Sequence, residues 1–152
     1  RSKLRSCPRV LVTKHVNGAR AAGRECRFVV WHLFGTIIPC WADRRGELEV
    51  VRLADAQGRL LGRLCETARA IAHITGLDWY HSEIVATRLG DEPELTVVEP
   101  ANALAMLGPV AKTVAMVPDE VARLAAERIV EVAWRRANGL DIHNGTTLVA
   151  PA

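Results

Sequence analysis

The connections between strand-like segments in the first third of this chain are too short for a parallel sheet. "RVLVTKHV", Arg9 to Val16, sets Val10, Val12, Lys14 and Val16 on one side and Leu11, Thr13 and His15 on the other, which is the two-residue period of a strand. A loop punctuated by Gly18 and Gly23 follows. "ECRFVVWHLF" and, after Gly35, "GTIIPCWA" then resume strand character, and "LEVVRLA" completes the run after a turn at Gly46. Parallel neighbours need a crossover of about a dozen residues or more, so these segments are expected to form an antiparallel meander. Pro39 has no backbone N–H to give a ladder, and it predicts that its strand is an edge or is bulged.

From Arg59 the period changes. Leu61, Leu64, Cys65, Ala68, Ile71 and Ala72 recur at three- and four-residue steps until Gly76, the pattern of an amphipathic helix. "YHSEIVATRL" and "ELTVVE" give two further strands around the turn-rich "GDEP". A second helix is expected from Pro118 to Asn138-Gly139, with Asp119 and Glu120 in its first turn and Val121, Leu124, Ala125, Ile129 and Val132 as its buried stripe. The expected fold class is therefore α+β, a largely antiparallel sheet with helices on one face. Residues 1–8 read as an extension, 9–138 as one domain, and 139–152 as a tail that is either a short returning strand or a frayed end.

A chain of 152 residues can bury a core without staples. No apolar run approaches the roughly 18 residues that span a bilayer, which predicts a soluble protein without a membrane partner. The net charge of +3 is spread, with paired basic residues only at Arg44-Arg45 and Arg135-Arg136, so the clustered stripe of a nucleic-acid binder is lacking. Cys7, Cys26, Cys40 and Cys65 contain no C-x-x-C pair; buried reduced thiols and a reducing, cytoplasmic compartment are expected. His15, His32, His73, His81 and His143 lack zinc spacing. Trp31, Trp41, Trp79 and Trp134 read as core anchors in preference to interface anchors. The start at Arg1, without a signal-like apolar segment, suggests a piece of something longer.

"ELTVVEPAN", Glu94 to Asn102, ends an apolar run on an acid that no folding rule requires. If the two later strands form a hairpin around Gly90 to Glu92, Glu99 faces Glu83 with Cβ atoms about 4.5 to 5.5 Å apart, where like charges repel. Three arrangements relieve the repulsion. The acids splay into solvent or hold an arginine between them; they share a proton at a raised pKa; or they hold a hard divalent cation such as magnesium, completed by phosphate and water oxygens. A one-residue slip would turn one acid to the opposite face.

The succession "VLVTKHVNG", "ECRFVV", "CETARAIAHITG", "LDWYHSEIVA" and "ELTVVEPAN" resembles the C-terminal half of an ATP-grasp domain over about Val10 to Ala137. The resemblance implies an ATP-dependent carboxylate-amine or carboxylate-thiol ligase acting through an acyl-phosphate, with ATP and Mg2+ as cofactors. It places the adenine edge against backbone groups of Lys14, His15 and Val16, the ribose hydroxyls on Glu25, and phosphate on Arg27. Glu83 and Glu99 map to the metal ligands. Two positions depart from the family pattern. Ala101 stands where an asparagine is common, and Asn102, one step later, becomes the third candidate ligand. His81 stands where several ligases carry an arginine that holds the acyl-phosphate, and it is cationic only if its pKa is raised. The phosphate-binding lysine and glycine-rich loop of the family's N-terminal half are not in the sequence. The implied partners are thus ATP, a carboxylate substrate and a missing N-terminal half or partner chain, with room for homo-oligomerisation. A degenerate, non-catalytic module used in protein binding or regulation is the alternative.

Overall fold

The computed structural model describes residues 16–21, 23–52, 58–102 and 117–142. The fold is α+β. A small hairpin of β1 (Arg20–Ala21) and β2 (Arg24–Glu25) precedes β3 (Arg27–Leu33), β4 (Thr36–Ala42), β5 (Leu48–Val50), α1 (Gly58–Thr75), β6 (Trp79–Arg88), β7 (Glu94–Asn102) and α2 (Asp119–Ala137). The main sheet has five strands in the order β5-β4-β3-β6-β7, and every pair in it is antiparallel. Of the strand expected over Arg9 to Val16, only Val16 falls among the described residues, and it is not in a strand. The extension 1–8 and residues 143–152 lie outside the described residues.

β3 is the central strand, and its alternation divides the core. Phe28 and Val30 join Ile37, Trp41, Ile84 and Ala86 in one cluster, which α1 covers with Leu60, Leu61, Leu64, Cys65 and Ala68. Trp31 and Leu33 join Ile38, Cys40 and Val50 in a second cluster, covered by Val121 and Ala125 of α2. The helices therefore pack on opposite faces, not on one face as expected. Both sides of β3 and β4 are apolar, so a helix on one face alone would leave the other row of side chains in water. Each fully buried leucine or valine contributes about 1.5 to 3 kcal/mol. Cys26, Cys40 and Cys65 are buried free thiols, as their apolar settings suggested; burial pushes Cys40 up to about 12.

β4 is an interior strand, contrary to the edge position that Pro39 suggested. The ring is tolerated because the Pro39 carbonyl points toward β5, where it accepts the Val51 N–H at 2.9 Å. Its nitrogen points the same way, just beyond the ladder that the three residues of β5 make with β4. Phe34 (φ 49) and Gly35 (φ 87) form the two-residue turn from β3 to β4, with both backbones in the left-handed region that such hairpins require. Phenylalanine is an unusual occupant of such a position.

Arg128 fastens this turn. Its Nη2 donates to the Phe34 carbonyl at 2.6 Å and to the Ile142 carbonyl at 2.9 Å, while Nη1 donates to Glu131 at 2.7 Å. The arginine is 6% exposed and occupies the buried stripe of α2 with Val121, Ala125 and Val132. Ile129, expected in that stripe, is 38% exposed, because the helix is rotated to bring Arg128 inward. Among the tryptophans, Trp31 and Trp41 are core residues as expected and Trp79 is half-buried, but Trp134 is 60% exposed. Among the described residues, no helix is long and apolar enough to cross a membrane.

Replacing Arg128 strands two carbonyls that it now satisfies. Arg128→Met is expected to lower the unfolding free energy by about 2 to 4 kcal/mol, read from the urea midpoint, while Arg123→Met on the exposed flank stays within about 0.5 kcal/mol. Equal midpoints for the two variants would refute the role given to the buried guanidinium.

Candidate functional site

Glu83 on β6 and Glu99 on β7 are direct cross-strand partners. This register is local. Val97 pairs with Ile84, Thr96 with Val85 and Leu95 with Ala86, and continuing that phase would set Glu99 opposite the fully buried Ser82. Between Ile84 and Glu83 the ladder slips by one residue, with Val98 as the extra residue on β7, and it slips again before His81 meets Asn102. The irregularity brings Glu99 beside Glu83. A bulge that re-aims one side chain is a recurrent device next to functional sites. Ser82 anchors the distorted stretch by donating its hydroxyl to the Pro100 carbonyl.

On the other side of β6, Val29 is the partner of Glu83, so Arg27 is its diagonal neighbour on the same face. Arg27 Nη1 makes an ion pair with Glu83 Oε1, and its Nη2 lies 3.9 Å from Glu25 Oε1 and 3.3 Å from the Val16 carbonyl, to which it donates. Of the three arrangements open from the sequence, the one with an arginine against the acids is present at Glu83. The ion pair is only part-exposed, 19% at Arg27 and 28% at Glu83, so it is less screened than surface pairs, whose typical value is about 0 to 1 kcal/mol.

Glu25 is held from three sides. The Gly18 N–H donates to its Oε1 at 3.0 Å, Arg44 Nε donates to its Oε2 at 3.3 Å, and Arg27 stands nearby. The Gly18 bond, together with the two arginines and against the opposing effect of burial, holds this carboxyl below the usual range. A Cβ at Gly18 would lie 2.8 Å from Glu25 Cγ, so a larger residue there would displace the Glu25 side chain. Beside Glu25 opens a cleft of about 600 Å³ lined by Arg20, Arg24, Arg27, Arg44, Trp41 and Glu49, among others. Glu83 and Glu99 lie outside its walls, on the neighbouring open part of the sheet.

His81 continues the row of Glu83 toward α2. Its ring is 5.0 Å from that of Trp31, its cross-strand partner, and neither His81 Nδ1 nor Trp31 Nε1 has a hydrogen-bond partner. Burial lowers the His81 pKa, only partly opposed by the charges of Glu99 and Glu83. The raised pKa that would make His81 a stand-in for arginine is therefore absent. The sequence showed the nearby acids but not the ring packing that removes solvent from the imidazole.

The structure thus brings Arg27, His81, Glu83 and Glu99 onto one face of the main sheet, with Glu25 of the β1-β2 hairpin beside Arg27. Val16 joins them through its carbonyl. Lys14 and His15 lie outside the described residues, and of Asn102 only the backbone position opposite His81 is described. Sequence reasoning missed Gly18 and Arg44: the first looked like loop punctuation, and the second lies in a different turn, with no local signal tying it to Glu25. Among the described residues, no three His, Cys, Asp or Glu side chains gather into a group able to hold a metal by themselves. Two opposed carboxylates do suit a magnesium ion that takes its remaining oxygens from phosphate and water. Comparison with known protein families, curated proteins and solved structures returned no match.

A pH titration of the His81 ring protons by NMR should have its midpoint below the ordinary value of about 6.5, and Glu99→Gln should lower it further by removing a stabilising negative charge. The unfolded imidazole takes its proton first as the pH falls. The native state therefore loses stability from about pH 6.5 down through the folded pKa, and this histidine has no effect well above that range. A midpoint at or above the ordinary value would contradict the solvent exclusion described for the ring.

Proposed function

We propose that this chain is the metal- and ATP-binding C-terminal half of an ATP-grasp carboxylate-amine or carboxylate-thiol ligase. The observation that carries the proposal is the opposition of Glu83 and Glu99 at an irregularity of the β6-β7 ladder, with Arg27 and Glu25 alongside. Nothing in the packing of the core requires two carboxylates there, and their pairing costs electrostatic energy unless a cation offsets it. The resemblance assigns Glu25, Arg27, Glu83 and Glu99 to the family's ribose, phosphate and metal positions, while Ala101 and His81 depart from its pattern.

In this reading the chain's own groups divide the ligand between them. Glu25, fixed and ionised by Gly18 and Arg44, accepts hydrogen bonds from ribose hydroxyls. Arg27 exchanges Glu83 for a phosphate, since its planar fork matches phosphate oxygens as well as carboxylate ones. Freed of Arg27, Glu83 would stand with Glu99 to hold magnesium. Bound ATP and Mg2+ would supply the activation of a substrate carboxylate. His81, neutral at physiological pH, would orient that substrate by a hydrogen bond. An N-terminal half or partner chain would complete the grip on the triphosphate.

One pair of observations favours the second reading, a degenerate module used in protein binding or regulation. Arg27 already neutralises Glu83, and the His81 pKa is lowered, so the site presents neither a bare acid pair nor the cation that the family often places there.

Calorimetric titration with a non-hydrolysable ATP analogue, with and without magnesium, tests the proposal. Magnesium-dependent affinity should fall at least about tenfold in Glu83→Gln and in Glu99→Gln, equivalent to about 1.4 kcal/mol or more, with the fold retained. Arg27→Met should weaken binding whether or not magnesium is present. Wild-type magnesium dependence in both acid variants would overturn the assignment; the absence of nucleotide binding would leave a half-site that needs its partner or a module that has abandoned ATP, which co-purification from the native source separates.

A further inference from the structure

The outer side of α2 is apolar where a water-facing helix is ordinarily charged. Ala126, Ile129, Val130, Ala133 and Trp134 are all exposed, Val130 at 69% and Trp134 at 60%. Residues 122, 126, 130 and 134 recur every fourth position and form a ridge along the helix. The ridge is small at its N-terminal end, Ala122 and Ala126, and large at its C-terminal end, Val130 and Trp134. Charge follows the same gradient: Asp119 and Glu120 occupy the first turn, Arg135 and Arg136 the last.

A helix with both gradients complements a reversed copy of itself. Laid antiparallel, large side chains meet small ones and an acidic end meets a basic end, twice over, about a two-fold axis. Laid parallel, Trp134 would meet Trp134 and like charges would face each other. We propose that α2 pairs antiparallel with α2 of a second copy of this chain. Trp134 of each copy lies over Ala122 of the other, Val130 over Ala126, and Arg136, whose guanidinium carbon lies 5.9 Å from the centre of the Phe34 ring in its own copy, next to Asp119. Arg135 is not needed for these contacts, being engaged by Glu131 at 2.9 Å and by the Asp141 carbonyl at 3.0 Å. Glu127, which the axis brings near its own counterpart, is already neutralised by Arg123 at 2.6 Å. The proposal is independent of any nucleotide.

A single helix pair is smaller than a standard interface of about 1,600 Å², so association belongs in the micromolar range. In sedimentation velocity of the full chain from about 1 to 300 μM, the mass should rise from 16.6 kDa toward twice that value. Trp134→Glu should weaken association at least tenfold with unchanged circular dichroism; Val130→Lys serves the same purpose if that variant folds poorly. Orientation is tested by charge reversal. Asp119→Arg and Arg136→Glu should each associate poorly, and the double variant that carries both should recover association, since exchanged charges meet their opposites only in the antiparallel arrangement. A monomer throughout the range, an undiminished dimer in both apolar variants, or a double variant no stronger than either single one would each overturn the proposal; the first would leave the face to a different partner.

Discussion

β3 is fixed by ladders on both sides, to β4 and to β6, and the rest of the molecule is arranged around that constraint. Its even-numbered residues Phe28 and Val30 belong to the core under α1, and its odd-numbered residues Trp31 and Leu33 to the core under α2. Arg27 begins the odd-numbered row beyond the part that joins the α2 core. A charged group at the start of a doubly held strand has little freedom of position. Its reach to Glu83 on one side and Glu25 on the other follows from the sheet itself, which is the kind of rigid support that a precise site needs.

The charges on this face alternate in sign. Arg44, Glu25, Arg27 and Glu83 form a chain in which each group meets an opposite neighbour, and Glu99 then follows directly across from Glu83. The repulsion of adjacent acids is thus moderated without being designed away. An anionic ligand would compete with carboxylates for Arg27, while a divalent cation would compete with Arg27 for Glu83. Phosphate and metal, arriving together, would satisfy both competitions at once, and that complementarity connects the geometry to the function proposed.

Much of the architecture was legible in the sequence because it rests on local periodicity. The alternation in "RFVVWHL" and the three- and four-residue steps of α1 locate their elements, and the short turns force antiparallel pairing. The placement of the helices was not legible: apolar residues on both sides of β3 and β4 do not say which helix covers which side. Arg128 shows a second limit. Its burial depends on carbonyls of Phe34 and Ile142, partners distant in sequence or beyond the helix end, so a hydrophobic pattern gives the inward position to Ile129 instead. At the candidate site, the opposition of Glu83 and Glu99 has the phase of the pair next to the turn, Arg88 and Glu94, and so follows from hairpin geometry, but the slips in the ladder between the two pairs leave no mark in the sequence. The grip of Gly18 on Glu25 and the packing of Trp31 on His81 could not be anticipated, because each depends on the close approach of separate segments.

The slip at Val98 separates two kinds of information along one strand. Leu95 and Val97 are written in the phase that fills the core beside α1, whereas Glu99 is written in the phase that meets Glu83. Substitutions in the core half of β7 and changes in the chemistry of its far half can therefore be made independently of one another. The acid face could be retuned without first redesigning the hydrophobic contacts that hold the hairpin in place.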